Sequence, residues 1–175
     1  MRRIGGADQM TLLPRLFLAL LIFGIAASPA LAKRIDPILL QGEARAVDGD
    51  TLQVGDTRLR LHGIDAPELR QTCADQAGEA WACGRRAASE LAAAVAGGEV
   101  HCVSRERDRY RRLVATCWSQ GRDVGQALVA HGWAVAYRRY SIDYLRDEDL
   151  ARHLAQGLWA GRFDMPWEWR QARRR

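Results

Sequence analysis

Apolar and polar residues alternate over short stretches along much of the chain. In Thr57-Arg58-Leu59-Arg60-Leu61-His62, Leu59 and Leu61 fall on one face and Arg58, Arg60 and His62 on the other. That two-residue period is the mark of a half-buried strand. Further strands are expected at 43–47, 51–54, 99–104 and 112–118, with turns at Asp48-Gly49-Asp50 and Gln120-Gly121. Gly55-Asp56 between Val54 and Thr57 predicts a two-residue hairpin. The Ala-rich stretch 79–96, closed by Gly97-Gly98, reads as a helix. Two shorter helices are expected at 124–131, stopped by Gly132, and at about 144–156, closed by Gly157. Residues from Asp65 to about Gly78 read as a loop. Five short antiparallel strands interrupted by three helices predict an α+β chain that is mainly β, built as a five-stranded OB-fold barrel. Trp118, Trp133 and Trp159 are expected in the core or as C-terminal staples.

The N-terminus follows a different pattern. Arg2, Arg3 and Arg15 precede an apolar run from Leu16 to Ala27, and Ala30-Leu31-Ala32 is a small-x-small cleavage site. A charged start, a short apolar core and such a site predict a secretory signal peptide. The run is well under the ~20 residues that cross a bilayer. The expected organisation is a signal peptide at 1–32, a lead-in at 33–42, a barrel domain at 43–160 and a Trp/Arg-rich tail at 161–175. Met10 is an alternative start that changes only the leader. The exported chain is expected in the periplasm or outside the cell, as a monomer with no membrane anchor after cleavage.

Composition narrows the class. With 48% hydrophobic residues and only 5 prolines, the chain is neither collagen-like nor disordered. Its 175 residues suit one main domain. The net charge is +5, and every cation except Lys33 is arginine. Removing residues 1–32 lowers the charge to +3, too little to identify an anionic partner. Arg170, Arg173, Arg174 and Arg175 are expected to add only non-specific attraction. All four cysteines, Cys73, Cys83, Cys102 and Cys117, lie in the exported part, where an even count suggests disulfides. Their spacings do not suit zinc, which wants close pairs. Four cysteines allow three connectivities. Local pairing, 73–83 and 102–117, is expected, because Cys102 and Cys117 fall on strands facing each other across a turn near Asp108.

The polar groups around the hairpin carry the chemistry. Asp50 starts one strand and Asp65 follows the next, so hairpin geometry can bring both carboxylates together. Two carboxylates and a carbonyl form a hard-oxygen set suited to Ca²⁺. Glu68 follows Pro67, whose fixed φ helps hold the loop. Arg60 and Arg112 add guanidinium forks that stay ionised and bind phosphate oxygens bidentately. Metal, carboxylate and arginine together suit phosphodiester hydrolysis.

In order, Val47-Asp48-Gly49-Asp50-Thr51, Arg60-Leu61-His62-Gly63-Ile64-Asp65-Ala66-Pro67-Glu68 and Asp108-Arg109-Tyr110-Arg111-Arg112 resemble the staphylococcal nuclease (thermonuclease) family. The resemblance covers about 43–160. It implies a Ca²⁺-dependent nuclease that cuts DNA, RNA or both and leaves 3′-phosphates. It implies that Asp50, Asp65 and the Ala66 carbonyl hold the metal, and that Glu68 is the general base. Arg60 and Arg112 would clamp the phosphate, and Tyr110 and Tyr137 would contact the nucleotide. Four departures stand out. Ala66 replaces a threonine, and Arg111 replaces a glycine before the catalytic arginine. Arg139 takes the place of a second tyrosine, with Tyr140 one residue on. The hairpin between Asp50 and Arg60 is short. A Cys73–Cys83 bridge would tie down the loop after Glu68, reducing its mobility and narrowing the substrate range. The alternative function is a non-catalytic OB-fold module that binds nucleic acid or another polyanion.

Overall fold

The structure is a computed structural model and describes residues 36–174. The expected signal peptide and its cleavage site lie outside the described residues. Five strands make the barrel. Strand β1 (Ile38–Ala46) leads through the Asp48-Gly49-Asp50 turn to β2 (Thr51–Val54), and the hairpin turns back into β3 (Thr57–Leu61). Val54 pairs with Thr57, so the turn has the two residues that Gly55-Asp56 predicts. Two-residue pieces follow: β4 (Ile64–Asp65), β5 (Cys73–Ala74) and β6 (Ala80–Trp81). Helix α1 (Cys83–Val95) precedes the long hairpin of β7 (Glu99–Arg107) and β8 (Leu113–Ser119). After β9 (Arg122–Asp123) come α2 (Val124–Ala130), β10 (Val135–Ala136), α3 (Leu145–His153), a 3₁₀ turn (Gly157–Ala160) and α4 (Pro166–Ala172).

The sheet runs β3-β2-β1-β7-β8-β9 and closes because β3 also pairs with β8. That closing pair is parallel, with Leu59 opposite Leu113 and Leu61 opposite Ala115. The expectation of purely antiparallel strands is corrected here. Closure requires the end strands to meet, and β3 and β8 run the same way where they do. Strand β1 also begins earlier than expected, taking in the second half of the lead-in. Its first six residues pair with β7 and its last three pair with β2.

Period-two burial fills the barrel. Leu52, Leu59, Leu61, Val100, Leu113, Ala115 and Cys117 point inward. Helix α1 presents Ala87, Leu91 and Val95, spaced four apart, to the same core. Each fully buried leucine contributes about 1.5–3 kcal/mol relative to exposure. The helix starts at Cys83 rather than at residue 79 because Ala80 and Trp81 pair with Ala74 and Cys73. Both expected disulfides are present: Cys73 to Cys83, and Cys102 to Cys117 across directly paired positions of β7 and β8. Among the described residues no helix is long and apolar enough to cross a membrane.

The 161–175 tail contains the helix α4. Pro166 sits in its first turn, where a missing N–H costs nothing. The loop residue Gln71 is fully buried and donates to the Asp164 carbonyl at 2.7 Å, which brings the approach to α4 against the barrel end.

Candidate active site

One cleft of about 1020 Å³ opens at an end of the barrel, lined by Asp50, Arg60, Ala66, Glu68, Tyr110, Arg112 and Tyr137 among others. The floor is built first by the hairpin. Asp48 accepts the Asp50 N–H at 3.1 Å, a local turn that aims Asp50 inward at the head of β2. Thr51 pairs with Arg60, so the register of β2 and β3 places the guanidinium beside the carboxylate. Arg60 Nη2 lies 2.9 Å from Asp50 Oδ2 and 2.6 Å from Asp65 Oδ1. Asp65 is fully buried in β4, which is held against Val135 of β10. The Ala66 N–H donates to Asp50 Oδ2 at 3.2 Å, tying the next loop to the same carboxylate.

Charge is concentrated here in low dielectric. Burial pushes the Asp50 carboxyl up to about 7; Arg60 opposes that rise, while Asp48 and Asp65 add to it. Burial alone would lower Arg60, but Asp50 and Asp65 outweigh it and hold the guanidinium firmly charged.

Glu68 reaches the cleft from the loop after Pro67, which is buried. Its backbone is fixed from two sides. Gln71 Oε1 accepts the Glu68 N–H at 3.2 Å, and the Gln71 N–H donates to the Glu68 carbonyl at 2.7 Å. Helix α1 comes so close that a Cβ at Gly84 would run into the Glu68 carbonyl. The Cys73–Cys83 bridge closes the same loop onto the helix.

Arg112 lines the same cleft from a tight turn that leads into β8. Asp108 Oδ1 accepts the N–H groups of Tyr110 and Arg112, both at 2.9 Å, and Oδ2 accepts Arg112 Nε at 2.8 Å. Burial works against ionised Asp108, yet the side-chain and backbone bonds from Arg112 hold it below the usual carboxylate range. Arg111 sits at φ 67°, the left-handed region that glycine adopts freely. Arginine therefore holds this turn at the cost of strain, about 1–2 kcal/mol for an L-residue. Tyr110 is well exposed, beneath the guanidinium of Arg109 at 4.8 Å. Tyr137 stacks on Trp167 at 5.4 Å between centroids, with planes 5° apart, and meets Tyr140 edge-on at 4.9 Å.

All the residues singled out in the sequence for this chemistry meet in this region, and no cysteine lines the cleft. The expectation for Arg170 is corrected. It lies in the site, with Nη2 at 2.7 Å from Asp65 Oδ2 and Nη1 at 2.8 Å from Glu68 Oε1. Sequence reading also missed Gln71, Asp108 and Trp167. The 161–175 segment was expected only as a Trp/Arg-rich tail, and nothing local signalled that Arg170 reaches residues 102 and 105 positions away. For a metal, Asp50 and Asp65 offer two hard carboxylates at one point, a donor set that fits Ca²⁺. Among the described residues no three His, Cys, Asp or Glu side chains form a ready cage.

The profile of the family described as Staphylococcal nuclease homologue matches residues 58–161. The chain is 39% identical over 102 residues to a succinoglycan biosynthesis protein, ExoI, of Rhizobium meliloti, covering 57% of this chain and 52% of that protein. This chain thus spans about half the length of that relative. It is 36% identical to Protein ParB of Escherichia coli, over 84% of this chain and 85% of the relative. An uncharacterized endonuclease of Escherichia coli O157:H7 is 34% identical, over 72% of this chain and 81% of the relative.

Proposed function

The chain belongs to the staphylococcal nuclease homologue family, a nuclease by that membership, and we propose that it works as an exported, Ca²⁺-dependent enzyme that hydrolyses DNA, RNA or both to 3′-phosphate products. One observation carries the reading. Asp50, Arg60, Glu68 and Arg112, which are scattered over 62 positions, line one cleft over the buried Asp65. Export rests on the N-terminal pattern of residues 1–32 and on two disulfides in the barrel domain. A monomer without a membrane anchor and the 43–160 domain boundary belong to the same proposal.

In this reading Asp50, Asp65 and the Ala66 carbonyl would hold Ca²⁺, which would supply charge against a non-bridging phosphate oxygen when bound. Glu68 takes a proton from the attacking water at its carboxylate. Its loop, fixed by Gln71, Gly84 and the disulfide, holds that oxygen in place. Arg60 and Arg112 both bring positive charge to the cleft, where negative charge grows on the phosphate. Tyr110 and Tyr137 offer aromatic faces to the nucleotide.

The test compares wild type with Glu68→Gln on denatured DNA and RNA, each with Ca²⁺ and with a chelator. Wild type should cut only with the ion, and the variant should be slower by roughly 10²–10⁴-fold. A wild type that binds oligonucleotides without cutting them in any divalent ion would make the chain a binding module instead.

A further inference from the structure

Arg170 lies beyond residues 58–161, the segment matched by the family. It nevertheless makes three hydrogen bonds to carboxylates of the cleft. Nη1 donates to Asp65 Oδ1 at 3.1 Å and to Glu68 Oε1 at 2.8 Å, and Nη2 donates to Asp65 Oδ2 at 2.7 Å. Since Asp65 Oδ1 is also bonded to Arg60, both oxygens of this buried carboxylate are committed to guanidinium groups. Two further contacts dock the same segment. Trp167 lies flat against Tyr137, and Gln71 bonds the Asp164 carbonyl. The α4 segment therefore rests on the proposed metal carboxylate, on the proposed general base and on a proposed nucleotide-contacting ring at once.

A divalent cation that takes Asp65 as a ligand needs lone pairs that Arg170 engages at both oxygens, and as like charges the two repel at close range. We propose that Arg170 is a built-in competitor for the divalent cation, so that α4 sets the metal affinity of the site and undocks as the metal binds. This rests on the reading of Asp65 as a metal ligand. Linkage makes the effect reciprocal: whatever factor Arg170 takes from metal affinity, the metal takes from docking of α4. Glu68 is released in the same step. While docked, Arg170 holds Glu68 Oε1 in a hydrogen bond of 2.8 Å, so that oxygen is occupied until α4 leaves.

The experiment is calorimetric titration of the purified protein with Ca²⁺, for wild type, Arg170→Gln and Trp167→Ala. It is paired with hydrogen exchange of the 167–172 amides in chelator and in saturating Ca²⁺. Arg170→Gln should bind Ca²⁺ about tenfold tighter, within the usual range of coupling between sites. Trp167→Ala loosens the same helix without touching a carboxylate and should shift affinity the same way by less. In wild type the 167–172 amides should exchange faster with Ca²⁺, and in Arg170→Gln they should exchange alike in both conditions. Equal or weaker Ca²⁺ binding by Arg170→Gln, with calcium-independent exchange in wild type, overturns the competitor role and leaves the metal site standing. Absence of Ca²⁺ binding in all three proteins removes the metal site and this inference with it.

Discussion

The floor and the rim of the cleft are built in opposite ways. The floor residues Asp50, Arg60 and Asp65 sit in the turn before β2, on β3 and on β4, and their meeting is set by strand register and burial. The rim residue Arg112 is placed by a local turn, through Asp108 and a strained Arg111. A register shift of one residue would turn Arg60 to the wrong face, so the floor inherits its precision from the whole barrel. The rim inherits its own from a few bonds, partly exposed to water. The floor is therefore costly to disturb and coupled to fold stability, whereas the rim is open to local repair.

Substitutions can break or sharpen that contrast. The largest effect is expected in the floor. Arg60→Lys removes the fork that spans Asp50 and Asp65, and should lower turnover by about 10²–10³-fold, measured as initial cleavage rate at saturating substrate. Lysine is a point charge and cannot make both contacts. Next comes Gly84→Ala, at the border between helix and loop. Its methyl group pushes on the Glu68 carbonyl, and a shift of about 1 Å in a catalytic group costs about 10²-fold. A variant of wild-type rate would show that the Glu68 loop tolerates displacement.

Stability should report the floor as well. The Asp50 carboxyl ordinarily titrates at 3.8 and stands at about 7 when folded. Between those values the folded state holds a proton that the unfolded chain has released. Its contribution is thus fully present below about pH 4 and lost as pH rises through about 7. The thermal midpoint in chelator should accordingly fall from pH 5 to pH 8, and Asp50→Asn should flatten that fall, by calorimetry at each pH. The smallest effect belongs to the rim. Arg111→Gly relieves the left-handed strain and should raise unfolding stability by about 1 kcal/mol in urea titration. Loss of stability would show that the Arg111 side chain, rather than the turn, matters.

The same division governs what the sequence made legible. Alternation in Thr57–His62 exposed the barrel strand, and the Gly55-Asp56 pair exposed its turn, because both signals are local. The residue types of the floor were readable as well, since carboxylate, proline and arginine carry their chemistry in their names. The parallel closure of β3 on β8 was not readable, because nothing in either strand encodes the direction of a partner about 54 residues away. Gln71 looked like an ordinary loop residue; only folding buries it and turns it into the brace for Glu68. Arg170 looked like one cation in a basic tail, and only the placement of α4 puts it on Asp65 and Glu68.

The central claim is that this floor and rim together form a metal-dependent phosphodiesterase site. It is tested most directly by following one labelled single-stranded oligonucleotide incubated with the purified protein as Ca²⁺ is added, chelated and restored. The account predicts cleavage that starts with the ion, stops with the chelator, resumes on restoration and leaves 3′-phosphate ends. An oligonucleotide that is bound yet stays intact through all three stages, with Ca²⁺ and with every other divalent ion tried, would contradict it.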